Sequence, residues 1–304
     1  MLSARQEHEQ APGNPPERSH LPGACTPATA LPGQPAMNAF DAYRIRPGHS
    51  LADIDPDQTP YPLGGKQAEL QRLDELALQL DELQNLLYAN GQRKLLLILQ
   101  GMDTSGKDGT IRWVFSRTSP LGVHVHAFKA PSAQERARDF LWRCHAVVPG
   151  AGELTVWNRS HYEDVLVPVV RGEIDERETQ RRYAHINHFE QLLSETGTRV
   201  LKCLLHISKD EQRRRLQKRL DDPAKQWKFA REDLQARAQW DDYQCAYDAL
   251  LEATSTAHAP WWVIPADNKR QRNLLVADLL CHALRDMQLR LPEPDPGLAR
   301  IRLE

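Results

Sequence analysis

A glycine-rich stretch in the first half of the chain holds the residues whose chemistry is easiest to recognise. Gly101, Gly106 and Lys107 have the spacing G-x-x-x-x-G-K. In such a loop the backbone N–H groups turn inward and the next helix adds partial positive charge, so that the loop can hold phosphate. Lys107 would reach the transferred phosphoryl group. An ordinary strand-to-helix turn is the other interpretation, and the predicted strand and helix around the loop favour phosphate binding.

The loop differs from the common form at two positions. Asp108 stands where a Ser or Thr hydroxyl normally holds Mg²⁺. Asp103 lies inside the loop, where a bridging divalent cation or a proton-accepting role would explain a carboxylate beside phosphate oxygens. The residues expected to form the phosphate cradle with Lys107 are Gly101, Thr104, Ser105, Gly106, Asp108 and Gly109.

A second polar cluster, residues 158–163, follows another predicted strand. Ligands of open α/β sheets bind beyond the carboxyl ends of the strands, so this cluster is expected to face the same ligand as the loop. Asn158 occupies the place of the usual metal-binding Asp, Arg159 could grip phosphate, and Glu163 supplies a nearby carboxylate. The alternative is a helix N-cap at Asn158 or Ser160 with exposed charges.

A third cluster is basic and lies in a segment that we call the lid, about residues 209–230. Seven cations fall within sixteen residues: Arg213, Arg214, Arg215, Lys218, Arg219, Lys225 and Lys228. A solvated helix face is the common meaning of such a run. Its place before the last strand instead favours an exposed, mobile lid that closes over several phosphates and excludes water. Trp227 is expected to be a packing residue at a hinge rather than a base-stacking one.

The apolar run at residues 95–99 predicts a strand buried on both faces. Further strands are predicted at 122–128, 153–157, 199–207 and 261–264. Helices are predicted at about 70–90, 107–117, 131–147, 176–195, 209–220, 233–252 and 270–289. Strands that alternate with helices indicate an α/β fold with a parallel sheet covered on both faces.

Composition limits the class of protein. The 304 residues are 40% hydrophobic and 26% charged, which is typical of a globular enzyme. A formal charge of −2 argues against general nucleic-acid binding. Five scattered cysteines without a C-x-x-C pair favour a cytoplasmic protein without zinc or disulfide bonds. No segment is apolar enough to predict a membrane span, and the first thirty residues lack the apolar core of a secretory signal.

The two ends of the chain are expected to lie outside the folded domain. Residues 1–36 are rich in Pro, Ala, Gly and Gln and lack apolar periodicity, which predicts a disordered extension. One domain that contains the phosphate loop and the lid is predicted for residues 37–290, and a proline-containing tail for 291–304.

The motifs at 101–109 and 158–163, with the Leu-Asp-Asp-Pro run at 220–223, resemble the type-2 polyphosphate kinase family. So do Lys225, Trp227 and Lys228, the Trp-Asp-Asp-Tyr run at 240–243 and residues 254–260. The resemblance extends in order over about residues 40–290. It implies a thymidylate-kinase-like P-loop fold with a helical lid, and phosphate transfer between inorganic polyphosphate and adenine or other purine nucleotides. It also implies Mg²⁺, with Mn²⁺ as an alternative, and a homo-oligomer.

Site residues follow from this resemblance position by position. The catalytic set is Asp103, Lys107, Asn158, Arg159 and Glu163, with Asp103 and Glu163 as metal ligands. The lid set is Arg215, Lys218, Arg219, Lys225 and Lys228, and Lys129 and Arg143 would bind nucleotide or polyphosphate. Many members have Asp where Asn158 stands, and the Asn form resembles the subgroup that accepts both AMP and ADP. Residues 269–272 also depart from the aromatic-containing run of the family.

Two other functions stay open from the sequence. An ATP-dependent kinase of a small metabolite would use the same phosphate loop. A nucleotide- or polyphosphate-binding protein without turnover would be compatible with Asn158 in place of a metal-binding Asp.

Overall fold

Five parallel strands form the centre of the chain in a computed structural model that describes residues 39–298 and 301–302. The strands are β1 (Lys94–Gln100), β2 (Val123–Ala127), β3 (Leu154–Asn158), β4 (Thr198–His206) and β5 (Trp261–Pro265). Their order across the sheet is β2-β3-β1-β4-β5. The predicted parallel α/β sheet is therefore confirmed. The predicted N-terminal extension, residues 1–36, lies outside the described residues.

β1 occupies the middle of the sheet because its side chains can be buried on both faces. Residues 95–99 are fully buried, and β1 pairs in parallel with β3 on one side and with β4 on the other. Leu95 stands opposite Leu154 of β3 and Arg199 of β4. An unbroken apolar run is what a central parallel strand requires.

Helices cover the sheet. They are α1 (Lys66–Asn90), α2 (Lys107–Val114), α3 (Ala133–Arg136), α4 (Trp142–His145), α5 (Glu163–Val170), α6 (Glu176–Glu195), α7 (Lys209–Asp221), α8 (Glu232–Ala238), α9 (Trp240–Thr254) and α10 (Lys269–Asp286). α1 is followed by Gly91, whose φ of 62° is left-handed, a conformation that glycine adopts readily at the end of a helix. No helix in the described part of the chain has the length and apolar character to cross a membrane.

Two predicted helices are wrong in extent because each is interrupted. The one expected at 131–147 is split into α3 and α4, since the Asp139 carboxylate accepts the N–H of Leu141 (3.0 Å) and starts a new turn. The one expected at 233–252 is split at Gln239, whose side chain donates to Val170 O (3.3 Å). α5 was not predicted, and it contains Pro168, a residue that disfavours the interior of a helix.

The carboxyl ends of the strands gather the polar segments at one edge of the sheet. The glycine-rich loop follows β1, and residues 159–162 follow the adjacent β3. The chain after β4 leads into α7, and that after β5 leads into α10. Because β1 lies between β3 and β4, the loop sits at the point where the strand order reverses, which is where such sheets bind ligands.

Candidate active site

Gly101 and Gly106 give the loop after β1 its shape. Gly101 has φ 141°, and a Cβ there would lie 2.6 Å from Leu205 O. Gly106 has φ 104°, and a Cβ there would lie 1.9 Å from Arg272 Nη1. Thr104 is left-handed without being glycine, with φ 68°. Backbone strain of this kind persists where the surrounding contacts hold it, and it concentrates at functional sites.

Lys107 begins α2 and is folded back over the loop. Its Nζ is buried and donates to Gly101 O (2.6 Å) and Met102 O (3.3 Å). Burial, followed by the positive charge of Arg159, lowers the pKa of Lys107 to about 8. An ammonium has three donors, so one is left for a ligand. Lys107 is thus charged at neutral pH and has a donor to offer to phosphate.

Two hydroxyls of the loop lack partners. Thr104 Oγ1 and Ser105 Oγ are buried and make no hydrogen bond to any residue in the described ranges. Buried polar atoms of native proteins are normally satisfied. Both hydroxyls are therefore available to the oxygens of a bound phosphate, as the sequence predicts for the cradle.

Arg159 connects the two polar clusters. Its Nη2 lies 2.5 Å from Asp103 Oδ1, and its Nη1 lies 3.4 Å from Glu163 Oε2. Burial raises the pKa of Asp103, but the charges of Arg159 and Lys107 outweigh burial and hold it below the usual value. Burial raises the pKa of Glu163, and the same two cations only partly offset this. The two clusters, expected beyond the carboxyl ends of their strands, come together at Arg159, and the catalytic roles of these side chains stay predictions.

A buried polar network supports the loop that carries Arg159, which itself has a left-handed φ of 61°. Tyr162 donates its hydroxyl to Glu190 Oε1 (2.8 Å), and Lys202 Nζ donates to Glu190 Oε2 (2.7 Å) and to Tyr162 Oη (2.9 Å). Tyr162, Glu190 and Lys202 are fully buried. The network fixes Tyr162, three residues after Arg159, and so helps to hold the strained backbone in place.

Asn158 contacts the residue that follows Lys107. Its Nδ2 donates to Asp108 Oδ1 (2.8 Å), and Lys228 Nζ lies 3.7 Å from Asp108 Oδ2. Asp108 therefore links the end of β3 to the lid. The two departures from the common P-loop pattern, Asn158 and Asp108, are partners of each other.

Arg215 is buried against the phosphate loop, so the expectation that it lies on an exposed, mobile surface is wrong. Its guanidinium pairs with Glu211 Oε1 (2.5 Å). It also donates to four carbonyls: Thr104 O (2.9 Å), Ser105 O (3.0 Å), Ala266 O (2.6 Å) and Asp267 O (2.9 Å). α7 is amphipathic, and Arg215 is on its inner face because a guanidinium fork can satisfy several carbonyls at once.

The other predicted lid cations line a cavity of about 840 Å³ together with the loop. They are Lys218, Arg219, Lys225 and Lys228. Arg219 also pairs with Asp233 Oδ2 (3.3 Å). Trp227 lines the same cavity with 78% of its surface exposed, so the expectation that it packs at a hinge is wrong. Its indole N–H donates to the nearby Ala224 O (3.0 Å), and Lys228 Nζ lies 5.0 Å from the centre of its ring.

Lys129 and Arg143 are not brought into this cavity. Arg143 is buried and donates to Lys129 O (2.8 Å) and to Asp164 Oδ2 (2.7 Å), while the Lys129 side chain is exposed. Neither is among the described side chains that line the cavity. Their role in binding nucleotide or polyphosphate stays a prediction.

Two residues at the site were missed from the sequence. Asp233 of α8 contacts Asp103, and burial together with the negative charge of Asp103 raises the pKa of Asp233. Arg272 of α10 is buried beneath the loop and donates to Ser105 O (3.0 Å). An acid just after the basic lid segment was a weak signal for Asp233. Arg272 lay in the 269–272 run that departs from the family pattern, and spacing alone assigned it no role.

Asp103 and Glu163 are the predicted ligands of a divalent cation, and their chemistry fits Mg²⁺. Both present carboxylate oxygens and converge on Arg159. Within the described residues, no group of three or more His, Cys, Asp or Glu side chains could enclose a metal ion. Mg²⁺ is usually held by one or two carboxylates together with substrate phosphates, so the pair is sufficient for that kind of site.

Comparison with known proteins gives consistent matches over most of the chain. The family profile described as Polyphosphate kinase 2 matches residues 64–292. The AMP/ADP-polyphosphate phosphotransferase of Meiothermus ruber is 50% identical over 264 residues, which cover 86% of this chain and 99% of that protein. The ADP-polyphosphate phosphotransferase of Rhodopseudomonas palustris is 42% identical over 72% of this chain and 80% of that protein. The crystal structure of polyphosphate kinase 2 from Arthrobacter aurescens matches with a TM-score of 0.83 at 46% identity. The match covers 87% of this chain and 96% of that one.

Proposed function

Because the chain belongs to the polyphosphate kinase 2 family, we propose that it transfers phosphate between inorganic polyphosphate and both AMP and ADP. The observation that carries the proposal is the convergence of the phosphate loop, Arg159 and four lid cations on one cavity. A single nucleotide does not need so many cations, whereas each phosphate of a longer chain needs its own partner. The relatives named for AMP and ADP support the choice of acceptors.

Phosphoryl transfer depends mainly on positioning and on charge stabilisation. The loop amides, the free donor of Lys107 and the hydroxyls of Thr104 and Ser105 would hold the phosphate at the reacting centre. Arg159 would stabilise charge on the transferred group, since its guanidinium stands between the two clusters. No protein nucleophile is required, because an oxygen of the acceptor phosphate can attack the donor phosphate directly.

Asp103 and Glu163 would hold Mg²⁺ together with substrate phosphates. Bound Mg²⁺ neutralises phosphate charge and thereby lowers the repulsion between donor and acceptor. Both carboxylates are paired with Arg159. Phosphate oxygens would compete with these carboxylates for the guanidinium of Arg159.

The use of AMP as well as ADP is proposed from Asn158. This side chain is neutral at a place where an Asp would add a second negative charge beside Asp108. The attacking phosphate of AMP must come closer to this cluster than the terminal phosphate of ADP, since AMP has only one phosphate. A neutral residue favours that approach.

Two further properties are proposed on less direct grounds. A homo-oligomer is expected from the family resemblance, and light scattering would measure the mass in solution. A cytoplasmic location is expected from the cysteine usage. Fractionation of the source cells would test it.

The proposed reaction can be tested with the purified chain. Incubation with polyphosphate, Mg²⁺ and AMP is expected to give ADP and then ATP, separated by chromatography. Transfer from ATP to a nucleoside or sugar, without transfer from polyphosphate, would instead identify a small-metabolite kinase. Tight binding of polyphosphate with no product would identify a binding protein.

A further inference from the structure

The buried cations of the described chain fall into two groups. Five Lys or Arg side chains are buried, and three of them are paired with a carboxylate: Arg143 with Asp164 (2.7 Å), Lys202 with Glu190 (2.7 Å) and Arg215 with Glu211 (2.5 Å). Lys107 and Arg272 have no carboxylate within ion-pair distance among the described residues. Lys107 is the lysine of the phosphate loop and is expected to bind an anion. Arg272 resembles it in being buried without a carboxylate partner.

Arg272 is 2% exposed, and its contacts are neutral. Nη1 donates to Ser105 O (3.0 Å), while Nε (3.1 Å) and Nη2 (2.8 Å) donate to Asn273 Oδ1. The nearest charged influence is the like charge of Arg215. Burial and that charge lower the pKa of Arg272 to about 9, so the guanidinium still carries its charge at neutral pH. A buried charge without a partner is costly, and proteins normally pair it.

The place of Arg272 shows which anion could serve as partner. Its guanidinium packs against Gly106 of the loop and Gly109 of α2: a Cβ on Gly106 would lie 1.9 Å from Nη1, and one on Gly109 would lie 3.5 Å from Nη2. Arg272 and Asn273 also line the cavity that Lys107 lines. A cation directly beneath the loop amides adds positive potential at the position where the loop would hold phosphate.

We propose that Arg272 is an anion-positioning residue of the phosphate loop, and that the bound phosphate chain supplies its missing counter-charge. The inference rests on the proposed function for the identity of the anion. It extends the phosphate site to α10, a helix that the motifs do not include. The ligand-free protein then carries an electrostatic cost that phosphate binding relieves.

Binding of inorganic tripolyphosphate, measured by calorimetry, tests the proposal without turnover. Arg272→Gln keeps an amide donor but removes the charge, and is expected to weaken binding at least about tenfold, as for a lost charged contact. Arg272→Lys is expected to recover most of the affinity. Arg285→Gln, an exposed site on the same helix, is the matched control and is expected to bind like the wild type.

Asn273→Asp gives a second test that does not remove Arg272. It places a carboxylate within 2.8 Å of the guanidinium and supplies the missing partner from within the protein. The expected result is a higher melting temperature of the ligand-free protein together with weaker tripolyphosphate binding. A purely structural role for Arg272 gives no reason for stability and affinity to change in opposite directions.

The outcomes separate this inference from the proposed reaction. Wild-type affinity in Arg272→Gln or in Asn273→Asp would overturn the inference, as would a wild-type protein that binds no phosphate chain. Weakened binding in these variants would support it even if the wild type showed no transfer to AMP or ADP. In that case only the proposed reaction would fail.

Discussion

Asn158 donates its side-chain amide to the carboxylate of Asp108, with 2.8 Å between Nδ2 and Oδ1. The two residues occupy the positions at which a P-loop protein usually has an Asp and a Ser or Thr. The pair therefore keeps one negative charge, which Asp108 carries, while Asn158 at the end of β3 is neutral. Lys228 lies 3.7 Å from the other Asp108 oxygen and brings the lid to the same point.

The Asn158→Asp variant is expected to lose activity with AMP more than with ADP. It would place the carboxylates of residues 158 and 108 at hydrogen-bond distance from each other. Their combined negative charge would repel the phosphate of AMP as it approaches. We expect the ratio of the AMP rate to the ADP rate to fall by about tenfold, which corresponds to about 1.4 kcal/mol. Initial rates with each nucleotide measure this ratio.

The matched control for Asn158→Asp also carries Asp108→Asn. The double variant restores one amide and one carboxylate across the same contact, so part of the AMP rate should return. A wild type that uses ADP and leaves AMP untouched would contradict the assignment of acceptors.

Lys107 predicts a pH dependence of phosphate binding. Burial lowers the pKa of Lys107 to about 8, and only the protonated ammonium attracts an anion. Affinity for tripolyphosphate is therefore expected to fall as the pH rises through about 8. Calorimetry from neutral to alkaline pH measures this. Lys107→Arg keeps the charge over the whole range, and an unchanged inflection in this variant would assign the titration to another group.

Arg215→Ala is expected to destabilise the fold as well as slow transfer. The change removes the donors to two carbonyls of the phosphate loop and to two carbonyls after β5, and it removes the buried partner of Glu211. Because Arg214 still pairs with Glu211 Oε2 (2.6 Å), the main cost is that of leaving buried carbonyls without a donor, which is typically about 1–3 kcal/mol. Chemical denaturation should show a loss of that size. Arg213→Ala, on the exposed face of the same helix, is the control. Equal stability of the two variants would show that the buried contacts of Arg215 do not stabilise the fold.

Trp227→Ala is expected to leave the free energy of unfolding unchanged and to raise the KM for the nucleotide. The ring is 78% exposed, lines the cavity and contacts only Lys228 Nζ among the described aromatic and cation contacts (5.0 Å from the ring centre), so it contributes little to packing and is placed where a base could stack. Stacking of a base on an aromatic ring contributes about 1–3 kcal/mol. Trp227→Phe should retain most of the effect. An unchanged KM in the Ala variant would show that the ring does not contact the nucleotide.

The sequence was sufficient to predict residues whose roles depend on local spacing. The glycines and Lys107 follow one strand, residues 158–163 follow another, and parallel pairing brings the two ends together. Every long strand was predicted within a few residues, because apolar runs of strand length between turns leave few alternatives. The interrupted helices were not predicted, because their breaks depend on single side-chain contacts such as that of Asp139 with Leu141.

Contacts between residues that are distant in the sequence could not be predicted. Arg272 lies 167 positions from Ser105 in the sequence, and Arg215 lies 111 positions from Thr104. Basic side chains in a charged segment look alike, and burial alone separates Arg215 from Arg213. Asp233 was missed for the same reason, since its neighbour Asp103 is on another element.

The most direct test of the account follows the phosphate itself. Radiolabelled polyphosphate is incubated with AMP, Mg²⁺ and the wild-type chain, and separately with Lys107→Ala, and the label is measured in each nucleotide. The account predicts label in ADP and ATP with the wild type, and at least a hundredfold lower initial rate with Lys107→Ala, equal to about 2.7 kcal/mol of lost transition-state stabilisation. Label that stays in polyphosphate with the folded wild type, or that enters nucleotides equally fast with Lys107→Ala, would contradict it.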